Sequence, residues 1–234
     1  MTGDGSAVAL WWRDDDAGRY SAQLEGLIDL AASTRRPLGL AIVPEWLDAT
    51  TVSRVLATPE LLVLQHGWGH ANHALSGDKF IELGGAIDTQ ACRDELERGR
   101  LVLEAAFNNR FLPVLVPPWN RIDDRIMASL PDLGFSAVST FADDRRGLDY
   151  HLIHANTHID LIDWRHGRRM KPLDALVEEA TALLARPSIR TIGILSHHLD
   201  MNDVDLSRLE QLLEHLDGLP TCRWTSPVDL FSSP

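Results

Sequence analysis

The segment Leu61-Leu62-Val63-Leu64-Gln65-His66-Gly67-Trp68-Gly69-His70 joins an apolar run to two histidines that are four positions apart. The run predicts a buried strand, because it is short and is bounded by Pro59 and by glycines. Two imidazoles just beyond such a strand can point two nitrogens at one divalent metal ion. A lone His-x-x-x-His pair is weak evidence in a chain with ten histidines, so other strand ends must supply the rest of a site.

Apolar runs with the length of strands alternate with amphipathic, helix-like segments along the chain. Strands are predicted at Val8–Arg13, Leu38–Val43, Leu61–Gln65, Phe111–Val116, Ser136–Thr140, Ile159–Ile162 and Thr191–Leu195. Helices are predicted at Ser21–Ser33, Thr51–Ala57, Thr89–Asn108, Asp123–Leu133, Pro172–Ala185 and Asp203–His215. Because the strands are almost continuously apolar, we expect a parallel sheet with both faces covered. Seven strand units predict an α/β barrel rather than an open doubly wound sheet, and residues 1–234 can form it as a single domain.

The composition argues against several classes of partner. The net charge of −12 and the pI near 5.2 disfavour nucleic acid or an anionic membrane surface. Cys92 and Cys222 form no CxxC or disulfide framework, which suits a reducing compartment. The chain shows no signal-peptide pattern, and no run approaches the ~20 apolar residues of a membrane span. We therefore expect a cytoplasmic protein with neither nucleic acid nor a membrane as its partner, and we leave its oligomeric state open.

Polar residues gather where the predicted strands end. The first strand ends in Arg13-Asp14-Asp15-Asp16, and the turn after it lacks the GxGxxG of a dinucleotide-binding fold. The third strand ends in His66 and His70, the fourth in Pro117-Pro118-Trp119-Asn120-Arg121, and the last in Leu195-Ser196-His197-His198. The carboxyl ends of parallel strands share one mouth of a barrel, where the active sites of such folds lie. The polar residues therefore predict an active site at the C-terminal strand ends.

Taken in chain order, these motifs resemble those of the polysaccharide deacetylase superfamily, carbohydrate esterase family four, whose domain is a distorted (β/α)7 barrel. The family's Asp-Asp pair corresponds to Asp15-Asp16, with Asp14-Asp15 as the alternative register. Its Asp-x-x-Asp-Trp motif matches Asp160-Leu161-Ile162-Asp163-Trp164 residue for residue, and its Leu-x-His motif is Leu195-Ser196-His197. With His66 and His70 as the His-x-x-x-His motif, the resemblance extends over residues 15 to 197.

The third motif departs from the family pattern. The family has Arg-x-Pro-aromatic, whereas this chain has Val116-Pro117-Pro118-Trp119, with valine in place of arginine. In the family that arginine orients the catalytic Asp. Arg13 and Arg121 are the candidates to replace it, and without a replacement the protein would be slow or inactive on the usual substrates.

The resemblance implies metal-assisted hydrolysis of an N-acetyl or related acyl group on a carbohydrate or sugar conjugate. Asp16, His66 and His70 would hold a divalent metal, first of all Zn²⁺, with Co²⁺, Ni²⁺, Mn²⁺ or Fe²⁺ as alternatives. Asp15 would be the general base that takes a proton from the attacking water, and His197 the acid that protonates the departing amine.

Further residues of the motifs complete the predicted site. Asp163 would orient His197 through its second ring nitrogen. Substrate contacts are predicted for residues at two strand ends, namely Trp119, Asn120, Arg121 and Trp164. The possible further contributors are Arg13, Asp14, Asp160 and His198, of which His198 is the second candidate for the acid.

Two other functions fit the same residues. The first is a metal-dependent amidohydrolase of this architecture that acts on a small, non-sugar amide. An acidic cytoplasmic enzyme matches a soluble sugar conjugate, an oligosaccharide or a small amide better than a cell-wall polymer. The second is a weakly active or inactive carbohydrate-binding or regulatory protein, which Val116 would favour. A serine hydrolase fits poorly, because the chain has no GxSxG elbow.

Overall fold

Strand β1 (Val8–Ala17) lies inside a nine-stranded parallel sheet in the computed structural model, which describes residues 7–232. The other strands of this sheet are β2 (Leu38–Ile42), β3 (Leu61–His66), β4 (Phe111–Val116), β5 (Ala137–Val138), β6 (Ile153–His154), β7 (Ile159–Asp160), β10 (Thr191–Ser196) and β11 (Cys222–Trp224). Between them, β8 (Ile162–Asp163) and β9 (Arg169–Met170) form a separate antiparallel hairpin. The order across the sheet is β6-β5-β4-β3-β2-β1-β10-β7, and β11 pairs with the start of β1.

Helices flank the curled sheet. They are α1 (Ala22–Thr34), α2 (Ala49–Ala57), α3 (Thr89–Phe107), α4 (Asp124–Met127), α5 (Leu173–Leu184), α6 (Asp203–Asp217) and α7 (Pro227–Phe231). Among residues 7–232, no helix combines the length and the apolar character that crossing a membrane would require.

The two tryptophans of β1 show how the sheet divides the core. Trp12 is fully buried among helix side chains such as Leu27 and Leu212, on the outer face of the sheet. Trp11 is fully buried among strand residues such as Leu64 and Val114, inside the barrel. Consecutive side chains of a strand point to opposite faces, so one strand supplies both layers of the core.

The predicted fold, a distorted β/α barrel with parallel strands, is confirmed. The distortion lies between the edge strands β6 and β7, which form no ladder with each other in the described part of the chain. Two strands of the sheet, β6 and β11, were not predicted, since strands of two or three residues carry too little periodicity to be recognised. The strand predicted over Ile159–Ile162 is divided between β7 and the hairpin strand β8.

Candidate active site

A cleft of about 490 Å³ opens at the carboxyl ends of the strands. Its lining residues are Asp15, Asp16, His66, His70, Trp119, Asn120, Arg121, Phe141, Asp160, Trp164, Arg168 and His197. Ten of these twelve were predicted from the sequence; Phe141 and Arg168 were not. The structure thus brings most of the predicted residues to one mouth of the barrel.

A bulge at the end of β1 turns two consecutive carboxylates into this cleft. The ladder to β2 pairs Asp14 with Leu40 but Ala17 with Ile42, so β1 holds one extra residue there. Asp16 has a φ of 68°, which breaks the alternation of side chains along the strand. In a regular strand Asp15 and Asp16 would point to opposite faces. The bulge explains why both line the cleft.

Asp16, His66 and His70 converge on one point. Oδ1 of Asp16 lies 3.2 Å from Nε2 of His66 and 3.1 Å from Nε2 of His70. The three ligand atoms lie within 4.8 Å of one another, and residues 7–232 contain no other group of this kind. The arrangement is one that could bind a metal ion.

The hydrogen bonds around these atoms fit a divalent cation. Nδ1 of His66 lies 2.9 Å from the carbonyl oxygen of Val116, which can only accept, so neutral His66 carries its proton on Nδ1 and a lone pair on Nε2. Oδ1 of Asp16 is buried and, within residues 7–232, accepts no hydrogen bond of good geometry, although the two imidazole nitrogens lie close to it. Two imidazole nitrogens and one carboxylate oxygen leave open positions on a cation, as catalytic sites do.

Asp16 and His66 change each other's pKa values. Burial would raise the pKa of Asp16, but its contacts with His66 and His70 outweigh burial and hold the pKa far below the ordinary value. Burial would lower the pKa of His66, but the charges of Asp15 and Asp16 outweigh it, and the pKa is raised. A proton on His66 therefore competes with any cation for this site.

We expect the affinity for a divalent cation to rise with pH and to level off above the raised pKa of His66. Below that pKa the cation must displace the proton of His66, so the association constant should fall about tenfold per pH unit. In the metal-free protein, the raised pKa stabilises the fold below the ordinary histidine pKa of ~6.5, and this contribution is lost as pH rises through the folded-state value. Competition with a chromophoric chelator at a series of pH values measures the affinity, and an affinity independent of pH would contradict the assignment of His66.

Asp15 is bound by Arg13, which is fully buried. Nε of Arg13 lies 2.8 Å from Oδ1 of Asp15, and Nη2 donates to Oδ2 at 3.0 Å. Nη2 also donates to Oδ1 of Asn120 at 2.9 Å, and Nη1 donates to the Ser139 hydroxyl at 2.7 Å. The guanidinium therefore links the end of β1 to the segment after β5 and fixes the orientation of Asp15.

Arg13 and Arg121 were the two candidates to replace the arginine that the third deacetylase motif has and this chain lacks. Of these two, Arg13 contacts Asp15 and Arg121 does not. Arg121 lines the cleft but donates instead to the carbonyl oxygen of Phe80 at 2.9 Å. Val116, at the family's arginine position, is fully buried inside the barrel. The chain thus supplies the guanidinium from β1 rather than from the end of β4.

Asp14 and His198 form a buried pair behind the cleft, and neither lines it. Oδ1 of Asp14 lies 2.5 Å from Nδ1 of His198, and Oδ2 accepts from the Ser196 hydroxyl at 2.7 Å and from the His198 N–H at 3.0 Å. Asp14 therefore fastens β1 to the end of β10. Of the two registers considered for the Asp pair, Asp15-Asp16 is the one that agrees with the position of Asp16 beside the histidines.

His197 lies beside Asp160, not beside Asp163 as predicted. Nδ1 of His197 is 4.0 Å from Oδ1 of Asp160, is buried and has no hydrogen-bond partner. Asp160 accepts hydrogen bonds from the Ile162 N–H at 2.9 Å and from the indole N–H of Trp164 at 2.8 Å. Burial raises the pKa of Asp160, although the charge of His197 opposes this.

Asp163 does not lie beside His197, because the strand predicted over Ile159–Ile162 ends at Asp160 and the chain then enters a hairpin. Asp160 ends β7 and pairs with Leu195 of the sheet, whereas Asp163 belongs to the hairpin strand β8. Its carboxylate accepts from the backbone N–H of His166 at 3.0 Å and lies 2.9 Å from the Nδ1 of that residue. The prediction that Asp163 orients His197 is therefore corrected in favour of Asp160.

For the acyl hydrolysis that the motifs imply, we expect Asp160→Asn to lower kcat about 10²-fold. An amide in place of the carboxylate no longer stabilises the positive charge of a protonated His197. Asp163→Asn is the matched control, and we expect it to change kcat by less than about twofold, as surface substitutions do. Steady-state kinetics of both variants checks the pair. Equal losses, or a larger loss in Asp163→Asn, would contradict the correction.

Aromatic rings form part of the cleft wall. Trp119 packs against His70 with 4.3 Å between ring centroids. Trp164 packs edge-on against His197 at 4.8 Å and is 44% exposed. The guanidinium of Arg168 lies 5.3 Å from the centroid of the Trp164 ring. Arg168 sits between β8 and β9, where no pattern in the sequence marks it, so only the hairpin reveals that it reaches the cleft.

The fold is that of the polysaccharide deacetylases of carbohydrate esterase family 4 (CE4), as the motifs predicted. No protein-family model matches the chain, and no curated protein is similar to it in sequence. The likeness is to solved structures at low sequence identity, so it concerns the fold.

Three solved structures show how similar the folds and the sequences are. The Xyl-CE4 domain of a multidomain xylanase from the hindgut metagenome of Trinervitermes trinervoides has a TM-score of 0.65 and 12% identity, over 97% of this chain and 90% of its own. A family 4 carbohydrate esterase from Streptomyces lividans, in complex with acetate, has a TM-score of 0.57 and 15% identity, over 93% and 90%. BA3943 from Bacillus anthracis, a CE4 family pseudoenzyme, has a TM-score of 0.62 and 13% identity, over 97% and 66%.

Proposed function

We propose that this protein is a metal-dependent hydrolase that removes an N-acetyl or related acyl group from a carbohydrate or sugar conjugate. The observation that supports this most is the convergence of Asp16, His66 and His70 in one cleft that Asp15 and His197 also line. These residues lie at or just after the ends of three separate strands, and a purely structural barrel does not require any of them at its mouth.

Asp16, His66 and His70 would hold a divalent cation, for which Zn²⁺ is the first choice with nitrogen and oxygen ligands. When bound, such a cation polarises an acyl carbonyl and lowers the pKa of water. Asp15 lines the cleft beside these three residues and would accept a proton from the attacking water. Arg13 keeps the carboxylate turned toward the cleft.

His197 would supply the proton for the leaving group. As water adds to the acyl carbon and gives a proton to Asp15, the C–N bond breaks, and the amine nitrogen takes a proton from His197. Asp160, whose Oδ1 lies 4.0 Å from Nδ1 of His197, would orient the imidazole for this step. The products are a free amine and a carboxylic acid, which ionises. Of the two protons that come from the water, one restores His197 and the other goes to solvent, so that Asp15 and His197 return to their starting states.

The cleft suits a sugar better than a very small amide. Its volume of about 490 Å³ is in the range of ligand sites that enclose most of a small molecule. Trp119 and Trp164 offer flat apolar faces of the kind on which sugar rings pack. The substrate would then be a sugar unit or a short oligosaccharide that carries the acyl group.

The test is acetate release by protein stripped with a chelator and reloaded with Zn²⁺, Co²⁺, Ni²⁺, Mn²⁺ or Fe²⁺. The panel contains N-acetylglucosamine, its oligomers of increasing length, and small alkyl and aryl acetamides. We expect metal-dependent release from the sugars. Release from the small acetamides alone would favour the non-sugar amidohydrolase. Tight binding of sugars without any release would favour a binding protein like the pseudoenzymes of this fold.

A further inference from the structure

The turn that carries His70 is built around a buried carboxylate, that of Glu82. Only 1% of Glu82 is exposed. Its Oε1 accepts a hydrogen bond from the Gly69 N–H at 2.8 Å and longer ones from the Trp68 and Ala71 N–H groups at 3.3 Å. In residues 7–232 its hydrogen-bond partners are all backbone amides of this turn, and no basic side chain forms an ion pair with it.

The two glycines of the His-Gly-Trp-Gly-His motif make room for carboxylates. A Cβ atom on Gly67, which has a φ of 58°, would overlap Oε2 of Glu82. A Cβ atom on Gly69 would lie 2.6 Å from Oε2 of Glu45. Packing of the turn against Glu82 and Glu45 thus accounts for both glycines.

His70 needs this support. Its φ of 57° is in the left-handed region, which costs free energy for a residue with a side chain and persists only where the surroundings enforce it. The amide groups of Gly69 and Ala71, on either side of His70, both donate to Glu82. The carboxylate therefore holds the backbone at the one residue whose side chain completes the Asp16-His66-His70 group.

We infer that Glu82 is a positioning residue that holds the His70 backbone so that its Nε2 meets Asp16 and His66 at a common cation. The inference rests on the proposed metal site and goes beyond it, because Glu82 lies in the segment between the second and third motifs and belongs to neither. A purely structural Glu82 would stabilise the metal-free and metal-loaded protein equally and leave the affinity for metal unchanged.

The test is the affinity of the full chain for Zn²⁺ and Co²⁺, measured by competition with a chromophoric chelator, in Glu82→Gln and in the matched control Glu95→Gln. Glu95 lies on α3; burial and the nearby charge of Glu82 raise its pKa, but it makes no hydrogen bond to the turn. Both variants remove one negative charge from the same neighbourhood. Only Glu82→Gln replaces the charged acceptor of the turn by a neutral amide, whose NH₂ group, in the place of Oε2, would face the Trp68 N–H, so only this variant weakens the hydrogen bonds that hold His70.

We expect Glu82→Gln to weaken metal binding about 10- to 100-fold, as loss of a group that orients a ligand does, and Glu95→Gln to change it by less than about twofold. The visible spectrum of bound Co²⁺ should also change in Glu82→Gln. Wild-type affinity in Glu82→Gln, or equal losses in both variants, would overturn the inference.

Two further outcomes separate this inference from the proposed function. If metal-free Glu82→Gln does not fold, Glu82→Asp keeps the charge but is too short to span the turn, so it should weaken binding to a similar degree, and unaltered affinity would overturn the inference. If the wild-type chain binds no divalent cation, the proposed metal site fails, and this inference fails with it. Normal wild-type binding with unaltered Glu82 variants would overturn the inference alone.

Discussion

Asp15→Asn is expected to lower kcat for acyl release by about 10³- to 10⁴-fold, while the affinity for a divalent cation stays within about twofold of wild type. An asparagine side chain has nearly the shape of aspartate, and its oxygen can still accept from Nη2 of Arg13. It cannot accept a proton from water at neutral pH. The loss should therefore fall on the chemical step, because the three residues proposed to bind the metal are untouched.

Steady-state kinetics and chelator competition on the same preparations separate these effects. Asp16→Asn is the comparison, because it removes one of the three ligands and should abolish metal binding together with activity. If Asp15→Asn and wild type turn over every substrate at the same rate, Asp15 is not the base. If Asp15→Asn loses metal instead, the carboxylate next to the histidines has been assigned to the wrong residue.

Arg13→Gln is expected to lower both kcat and the free energy of unfolding, the latter by about 3–5 kcal/mol. The guanidinium is fully buried, and its removal leaves Asp15 as a buried charge without its partner. The Ser139 hydroxyl and the Asn120 side chain also lose a donor. We expect kcat to fall about 10²-fold or more, because Asp15 is then free to turn away from the attacking water.

A double-mutant cycle distinguishes this pair from a general packing defect. Arg13→Gln combined with Asp15→Asn should cost less stability than the sum of the single changes, because the double variant no longer buries an unpaired charge. Chemical denaturation of the four proteins measures the coupling. Strict additivity would show that the contact between Arg13 and Asp15 contributes nothing of its own.

Arg121→Gln tests Arg121, the other candidate for the residue that orients Asp15. Arg121 donates only to the carbonyl of Phe80, so we expect its loss to affect KM and to leave kcat within a few-fold of wild type, on the order expected for a residue outside the chemical step. A fall in kcat as large as that of Arg13→Gln would return Arg121 to the role of orienting Asp15.

Whether the protein is active depends in part on an arginine that orients Asp15. Val116 departs from the third of the deacetylase motifs that the sequence resembles, and BA3943, a CE4 family pseudoenzyme, is among the structural neighbours. In this chain Arg13 contacts the carboxylate that the family's arginine would orient, and it does so from the neighbouring stretch of β1. The departure at Val116 is therefore no evidence against catalysis by itself, since the electrostatic partner of Asp15 is present.

Local patterns in the sequence were enough to predict the fold and much of the cleft. The strands of five or more residues have near-continuous apolar runs, and their polar carboxyl ends must meet at one mouth once the sheet is parallel. That logic pointed to the polar stretches that contain Asp16, His66, His70 and His197, and the resemblance to the deacetylase motifs then singled out these four residues.

Other features could not be read locally, because they depend on where the backbone turns. The assignment of Asp163 was wrong because a break after β7 sends it into a hairpin and leaves Asp160 at the strand end. Glu82 was missed because it lies in residues 74–88, which have no periodicity to interpret, although the two glycines of the His66–His70 turn already indicated a close approach by some other group.

The amino-acid sequence alone therefore determined the barrel, the mouth at which the polar residues gather, and the chemical types available there, because hydrophobic periodicity and strand polarity are local properties. Only the tertiary structure decided which carboxylate faces which partner. A one-residue bulge in β1 turns Asp16 toward the histidines, Arg13 joins Asp15 to Ser139 and Asn120 across the barrel, and Asp160 rather than Asp163 meets His197. Such pairings depend on displacements of a few ångströms between segments far apart in the chain, and these arise only when the whole sheet has curled and packed.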